Sequence, residues 1–469
     1  MLHSKSTVLT LLVLAAGTFS QFATALERSN IDVQQYALEF SLSLDGDYVF
    51  QNALSGTAKI RFQNAGVEAI KDIPVLLNRL MRYETVTDEA GRNLEIQSRL
   101  LELDNFEFYQ ANTAVVTLVD PLEPGETMEL SIAFDGRLVG YVEAVMLYTQ
   151  ENLDPEFTIL RSEVLAWPQI ADPDWLEVRR GWADPFEWTA EFDVPATHRV
   201  ANGEPVEVIS LGERSRFSYR STRPDTYLVF PVAPYTEVRA GANRIFHLPG
   251  SEAGAKRIAD GMVKAMPLFE SWLGPLAQEG GLSIIEIPEG FGSQSGFPTI
   301  IQSADAFNSA DEISQLYHEL SHLWNVDDYE PQSPRLEEGL ATFLEALVDV
   351  KLGGTTDLSA YMAGISNRLV GTYERNSRFR DFAIADFGRE GVTGLSYGVG
   401  ALFYYDLYKS LGEDEFIALL RGYYDAYRKG GGNFNAMLAY YREHAGAESA
   451  KLVDEWLVGT GYVAKLKVE

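Results

Sequence analysis

A chain of 469 residues is long enough for two or three domains with cores of their own. Its formal charge of −30 at pH 7 argues against nucleic acid or an anionic membrane surface as a partner. The absence of cysteine rules out disulfides, thiolate metal ligands and lipid attachment through a cysteine.

The first predicted segment is an export signal over residues 1–25. Lys5 precedes an apolar run from Val8 to Phe19, and Ala23-Thr24-Ala25 supplies a small-x-small cleavage site. The run is too short to span a bilayer, and no later stretch is long and apolar enough. The expectation is a periplasmic or secreted protein whose mature chain begins near Leu26, with no stable membrane insertion.

Residues 26–244 read as a β domain. Tyr36, Leu38, Phe40, Leu42 and Leu44 alternate with polar residues, as do Ala58, Ile60 and Phe62, and Met128, Leu130, Ile132 and Phe134 after the Pro124-Gly125 turn. A period of two with one apolar face predicts antiparallel strands half-buried in a common core. The character changes at Ile245. An amphipathic helix is predicted over Glu252 to Leu273, then a short buried strand from Leu282 to Ile287, a glycine-rich loop from Gly290 to Phe297, and a further strand over Pro298 to Gln302.

The next helix carries Tyr317-His318-Glu319-Leu320-Ser321-His322-Leu323-Trp324. Residues four apart share a helix face, so the imidazoles of His318 and His322 can converge on one ion. Glu319 points about a quarter-turn away, where it suits a base acting on water better than a third ligand. Ser309 and Glu312 have capping-box spacing, and Ile313, Leu316, Tyr317, Leu320, Leu323 and Trp324 recur with a helical period. A buried helix with merely hydrogen-bonded histidines would explain neither Glu319 nor the acidic helix that follows.

That helix is predicted to begin at Ser333-Pro334, with serine as cap and proline at the first helical position. Glu338 and Glu345 are seven apart and share a face. Two histidines and one glutamate make a zinc site that leaves a fourth position for water, and histidine ligands commonly pass their other ring nitrogen to a carboxylate. Glu338 is favoured as third ligand because it directly precedes Gly339 and is spaced to pair with Glu345; Glu337 stays the competing candidate. Glu345 is the carboxylate expected behind a histidine. Residues 245–355 thus form the core of a metal site. Residues 356–469 are nearly all helical in pattern: Leu358 to Tyr373, Tyr397 to Leu411, Glu413 to Tyr427, Phe434 to His444 and Ala450 to Leu457. Their aromatic residues, Phe403, Tyr404, Tyr408, Tyr423, Tyr424, Tyr440 and Tyr441, read as helical core rather than a stacking surface for sugars or bases.

His318-Glu-Leu-Ser-His322 followed by Leu336-Glu-Glu-Gly-Leu-Ala-Thr-Phe-Leu-Glu345 resembles the gluzincin metallopeptidases, and specifically the M1 aminopeptidase family that includes leukotriene A4 hydrolase. Three segments of the β domain are similar to that family's in the same order: Gly56-Thr-Ala-Lys-Ile-Arg-Phe-Gln-Asn64, Pro121-Leu-Glu-Pro-Gly-Glu126 and Asp225-Thr-Tyr-Leu-Val-Phe-Pro-Val232. Ser396-Tyr-Gly-Val-Gly-Ala-Leu-Phe403 resembles the segment whose tyrosine steadies the transition state, and Val453-Asp-Glu-Trp-Leu-Val-Gly-Thr-Gly461 the end of the catalytic domain. Beyond it, the long C-terminal helical domain of larger M1 enzymes is not expected. The family places eighteen residues between the second histidine and the ligand glutamate; this chain has fifteen before Glu338.

The resemblance implies a multi-domain α+β fold: an antiparallel β domain, then a thermolysin-like α/β catalytic domain ending in a helical subdomain. It implies one Zn²⁺ per chain on His318, His322 and Glu338, Glu319 as general base, Tyr397 as oxyanion donor, and a peptide substrate bound by strand addition along the strand around Ile300, taken as the sheet edge. The segment from Thr158 to Pro168 occupies the region from which the family reaches into the substrate cleft, so Glu163 or Arg161 could do so here; an ordinary strand with exposed charges stays equally open. Where the family has Gly-x-Met-x-Asn, usually with a fourth-position glutamate for the substrate amine, this loop reads Gly292-Ser-Gln-Ser-Gly-Phe-Pro298. Gln294 and Gly296 become the substrate-contact candidates, and Glu163 or Glu289 the candidate replacement acids. The expected activity is zinc-dependent peptide hydrolysis. The alternatives are a zinc-retaining binding protein without turnover and a zinc ester or epoxide hydrolase on the same scaffold.

Overall fold

A computed structural model describes residues 30–466, apart from 47–50, 105–108, 144–145, 150–152, 182–183, 277–279, 297, 327, 329, 331 and 430. The predicted export signal and cleavage site lie outside the described residues, as does Phe297.

The alternating strands build the β domain they predict. A seven-stranded sheet runs in the order Glu207–Ser210, Arg214–Arg220, Glu187–Pro195, Ile31–Ser43, Ala53–Asn64, Thr127–Gly136, Met81–Asp88. It faces a four-stranded sheet of Gln169–Ile170, Ile70–Asn78, Gln110–Leu122 and Glu95–Glu102. The apolar positions of Ile31–Ser43 enter the shared core with Ile60, Phe62, Ile132 and Trp167, where Phe40 stacks on Phe192 and meets Phe134 and Trp167 edge-on. One pairing departs from the antiparallel expectation: Ile31–Ser43 and Glu187–Pro195 are parallel. A parallel neighbour needs a long crossover, and the intervening strands supply it.

A small sheet of Thr158–Arg161, Val229–Ala233 and Arg199–Val200 stands where this domain meets the rest of the chain. Its residues Ile159 and Ala233 pack with Phe246, Ile285, Phe291 and Ile301 in an apolar seam. The second sheet has the order Thr236–Ala240, Asn243–His247, Ser283–Ile287, Thr299–Ser303, Gln294–Ser295. It begins upstream of residue 245, because Thr236–Ala240 pairs antiparallel with Asn243–His247 and extends the same sheet. The three middle strands are parallel neighbours and buried along most of their length, as sheets covered on both faces require.

The sequence expectation of an edge at Ile300 is corrected. Gln294 and Ser295 fold back through a turn containing Gly296 and Pro298 and pair with Ile301 and Ile300, so Thr299–Ser303 is an interior strand and Gln294–Ser295 is the edge.

Helix Glu252–Leu273 spans the predicted residues and buries Ile258, Met262 and Phe269. The helices Leu358–Arg375, Leu395–Leu411, Glu413–Tyr427, Phe434–His444 and Gly446–Leu457 follow. Residues from Ile245 to Leu466 contribute to one continuous apolar core that includes Phe403, Tyr404, Tyr424 and Tyr441. The change of pattern near residue 356 therefore falls inside one core. No helix among the described residues is long and apolar enough to cross a membrane.

Candidate metal centre

Two elements carry the centre. Ser309 caps a 3₁₀ turn, Ala310–Glu312, by accepting from the Asp311 N–H at 3.2 Å. The α-helix proper is Ser314–Ser321, and it tightens into a 3₁₀ turn, His322–Trp324, at its end. Leu316, Tyr317 and Leu320 face the core, which leaves His318 and His322 side by side with ring centroids 5.0 Å apart. Trp324 fixes the end of this segment: it stacks on Phe269 and its indole N–H donates to the Gly274 carbonyl at 2.9 Å.

The acidic helix is Leu336–Lys351, starting later than Ser333-Pro334. The Ser333 hydroxyl is used in the preceding turn, donating to Asp328 at 2.6 Å and accepting from the Arg335 N–H at 3.2 Å. Arg335, with φ 56° and ψ 48°, is the N-cap. A left-handed residue there breaks the helix that proline would otherwise have begun.

Glu338 Oε2 lies 3.4 Å from His318 Nε2 and 3.3 Å from His322 Nε2. These three ligand atoms lie within 4.8 Å of one another. The other ring nitrogens are occupied. His318 Nδ1 is 2.8 Å from Glu345 Oε2, and the Tyr361 hydroxyl donates to Glu345 Oε1. His322 Nδ1 is 2.8 Å from the Asn325 carboxamide, which presents an oxygen to an Nδ1 proton when turned about its terminal bond. Two imidazoles with Nε2 directed inward and a carboxylate oxygen form a donor set that fits zinc.

Burial works against charge on His318, and the Glu338 and Glu345 carboxylates outweigh it, holding its pKa well above the ordinary value. Burial likewise opposes charge on Glu338, but the Arg335 guanidinium and the two imidazoles hold its carboxyl well below the usual range. Glu337 is not part of the group formed by His318, His322 and Glu338. It lines a largely apolar cavity of about 80 Å³ with Leu340, Tyr404, Tyr423 and Asn433.

Glu319 is buried beside the histidines. Burial raises its pKa, the imidazoles lower it, and the nearby Glu338 and Glu345 carboxylates add to the rise. Its backbone carbonyl accepts from the Ser295 hydroxyl at 2.7 Å, which ties the edge strand to the histidine helix. Tyr397 lies in the first turn of Leu395–Leu411, its ring parallel to that of His318 at 6.2 Å. Its hydroxyl interacts with Glu338, and burial together with that carboxylate keeps it protonated.

The strand-with-exposed-charges reading of the Thr158 segment is corrected. Arg161 is 1% exposed and Glu163 5%. Glu163 stands on a 3₁₀ turn, Ser162–Val164, at the end of the strand. Arg161 Nη2 donates to Gln294 Oε1 at 2.6 Å, Nε donates to the Tyr227 hydroxyl at 2.8 Å and lies 3.3 Å from Glu163, and the guanidinium sits 4.4 Å over the Tyr148 ring. The Tyr227 hydroxyl donates to Glu163. Gln294 is thus brought to Arg161 and Glu163, whereas Glu289 and Gly296 are exposed on the loop.

Sequence reasoning missed Asn325, Arg335, Tyr361 and the contact of Gly339 with Gly400. Asn325, three residues after His322, had a readable spacing; the others depend on the fold.

No protein-family model matches the sequence, and no curated protein matches it. Solved structures do. A mutant of the M1 zinc metallopeptidase from Deinococcus radiodurans, bound to a Tyr-Ser-Ala substrate, is similar over 92% of this chain and 94% of its own, with a TM-score of 0.62 at 20% identity. A further structure of the metallopeptidase from that organism covers 91% and 93%, with a TM-score of 0.61 at 19% identity. A two-domain M1 zinc metallopeptidase mutant bound to L-tryptophan covers 92% and 95%, with a TM-score of 0.61 at 20% identity. The chain has the M1 zinc metallopeptidase fold, an α+β arrangement with an N-terminal β-sheet domain and a C-terminal helical region.

Proposed function

We propose that this protein is a zinc-dependent peptidase of aminopeptidase type, with His318, His322 and Glu338 as the metal ligands. One observation carries the reading: Nε2 of both histidines faces a single oxygen of Glu338 while both Nδ1 atoms already have partners. A zinc ion held there supplies Lewis acidity and lowers the pKa of water toward neutrality.

This chain's residues do the rest. Glu319, buried beside the ligands, takes the proton of the attacking water and returns it to the leaving amine. Tyr397, whose hydroxyl stays protonated, donates a hydrogen bond to the developing oxyanion. The edge Gln294–Ser295 offers backbone groups to an extended peptide. A peptide substrate is supported by the Tyr-Ser-Ala complex of the Deinococcus radiodurans metallopeptidase. The Lys5-to-Ala25 pattern supports action outside the cytoplasm.

Elemental analysis of wild type, His322→Ala and Glu319→Gln, with a peptide-digest assay, tests the proposal. One zinc per chain is expected in wild type and Glu319→Gln and little in His322→Ala. Hydrolysis by Glu319→Gln should fall by several orders of magnitude. Equal zinc in wild type and His322→Ala overturns the ligand assignment.

A further inference from the structure

Glu338 has two carboxylate oxygens, and the histidines face only Oε2. Oε1 accepts a hydrogen bond from Arg335 Nη2. The same guanidinium places its Nε 3.6 Å from Glu337, so its fork holds one acid on each side.

Arg335 is set there by a backbone conformation that costs something. It is one of two non-glycine residues with positive φ among the described residues. A left-handed backbone is unfavourable for any residue with a Cβ, arginine included. The turn sustains it, because the Ser333 hydroxyl accepts from the Arg335 N–H and the Arg335 carbonyl accepts from the Glu338 N–H at 3.3 Å. The connection from His322 thus ends with Arg335 folded back over the first turn of the helix it precedes.

The charge balance explains what this arrangement does. Glu319, Glu337, Glu338 and Glu345 stand around two imidazoles and the guanidinium, so a divalent cation leaves two negative charges in excess. Arg335 offsets one of them, on the side of Glu338 that the histidines do not face. A carboxylate with both oxygens free can engage a metal through one or both; pinning one oxygen fixes the choice and the orientation of the other.

We propose that Arg335 is a positioning residue that holds Glu338 as a one-oxygen metal ligand, Oε2 presented to the metal and Oε1 retained on the guanidinium. This rests on the zinc reading above. Lysine, a point charge without a fork, can replace the charge but not the geometry.

The test compares Arg335→Gly, which accepts the left-handed backbone without the guanidinium, with Arg335→Lys. Zinc dissociation constants come from chelator competition at fixed pH, kcat and KM from assays at saturating zinc, and coordination number from the visible spectrum of the cobalt-substituted protein. Arg335→Gly should bind zinc about 10–100-fold more weakly, lose kcat with KM little changed, and show a changed cobalt spectrum. Arg335→Lys should recover part of the affinity. If Arg335→Gly does not fold, Arg335→Asn, which also tolerates this conformation, takes its place. A folded variant with wild-type zinc affinity and an unchanged cobalt spectrum overturns the inference. A wild-type protein that binds no zinc overturns the zinc reading instead.

Discussion

His318 is used on both sides of its ring. Nε2 faces Glu338 while Nδ1 meets Glu345, itself held by Tyr361. Replacing Glu345 with glutamine keeps an acceptor for Nδ1 but removes the charge that raises the ring's basicity. Zinc affinity should fall about tenfold or more by chelator competition, with the fold retained. Tyr397→Phe tests a different contribution, since a hydrogen bond made only in the transition state lowers kcat and leaves KM alone. A loss of roughly a hundredfold in kcat is expected, and an unchanged kcat removes Tyr397 from the chemistry. At this scale the sequence was legible where a helical period does the placing: His318 beside His322, four apart, and Glu338 on the same face as Glu345, seven apart. Asn325 stood at a readable spacing, three residues after His322, but Arg335 acts from a left-handed residue that no period describes.

The two helices bearing Glu338 and Tyr397 cross at a point where neither has a side chain. A Cβ on Gly339 would lie 2.5 Å from Gly400 Cα and 2.6 Å from the Ser396 carbonyl oxygen. Ser396 in turn donates to the Pro334 carbonyl, so the start of each helix is bonded to the other. The glycine beside Glu338 is therefore a packing requirement that sets how near Tyr397 comes to the ligands. Gly339→Ala should destabilise the fold by about 1–3 kcal/mol and lower kcat/KM at least tenfold, since the helices must part. Gly364→Ala is the control. Its added carbon meets only the tip of Arg368, so helix propensity predicts a stabilisation of about 0.5–1 kcal/mol. Denaturant titration of the two variants should move in opposite directions. Element identity was largely readable from apolar periodicity, as for Glu252–Leu273, while the Ser333-Pro334 start failed because the serine's hydrogen bonds are spent in the turn.

Across the whole molecule the β domain is bonded to the glycine-rich loop next to the histidine helix. Strand Met146–Thr149 of the β domain bonds the glycine-rich loop, with the Leu147 N–H donating to the Gly290 carbonyl at 2.8 Å, and Arg161 reaches the same loop at Gln294. The sequence did not reveal this joint, nor that Gln294–Ser295 replaces Ile300 as the edge, because both depend on a two-residue return strand too short for any pattern. The joint bears on substrate choice. M1 aminopeptidases hold the substrate's free amine with a carboxylate at the fourth position of this loop's motif; here that position is Ser295, whose hydroxyl donates to the Glu319 carbonyl, and the oxygen of the preceding Gln294 is already taken by Arg161. Glu163, a buried acid beside Arg161, is committed to that arginine at 3.3 Å and to Tyr227, and Glu289 faces solvent. An ammonium group arriving at this loop finds a carboxylate whose charge is already matched, so little is gained by supplying it. If the protein hydrolyses peptides as proposed, it should therefore discriminate weakly between a peptide with a free N-terminus and its N-acetylated twin. The measurement is kcat/KM for both peptides under one set of conditions. The ratio should stay well below about a thousandfold; a preference for the free amine at or above that value would mean that a carboxylate is released from its arginine to bind the amine.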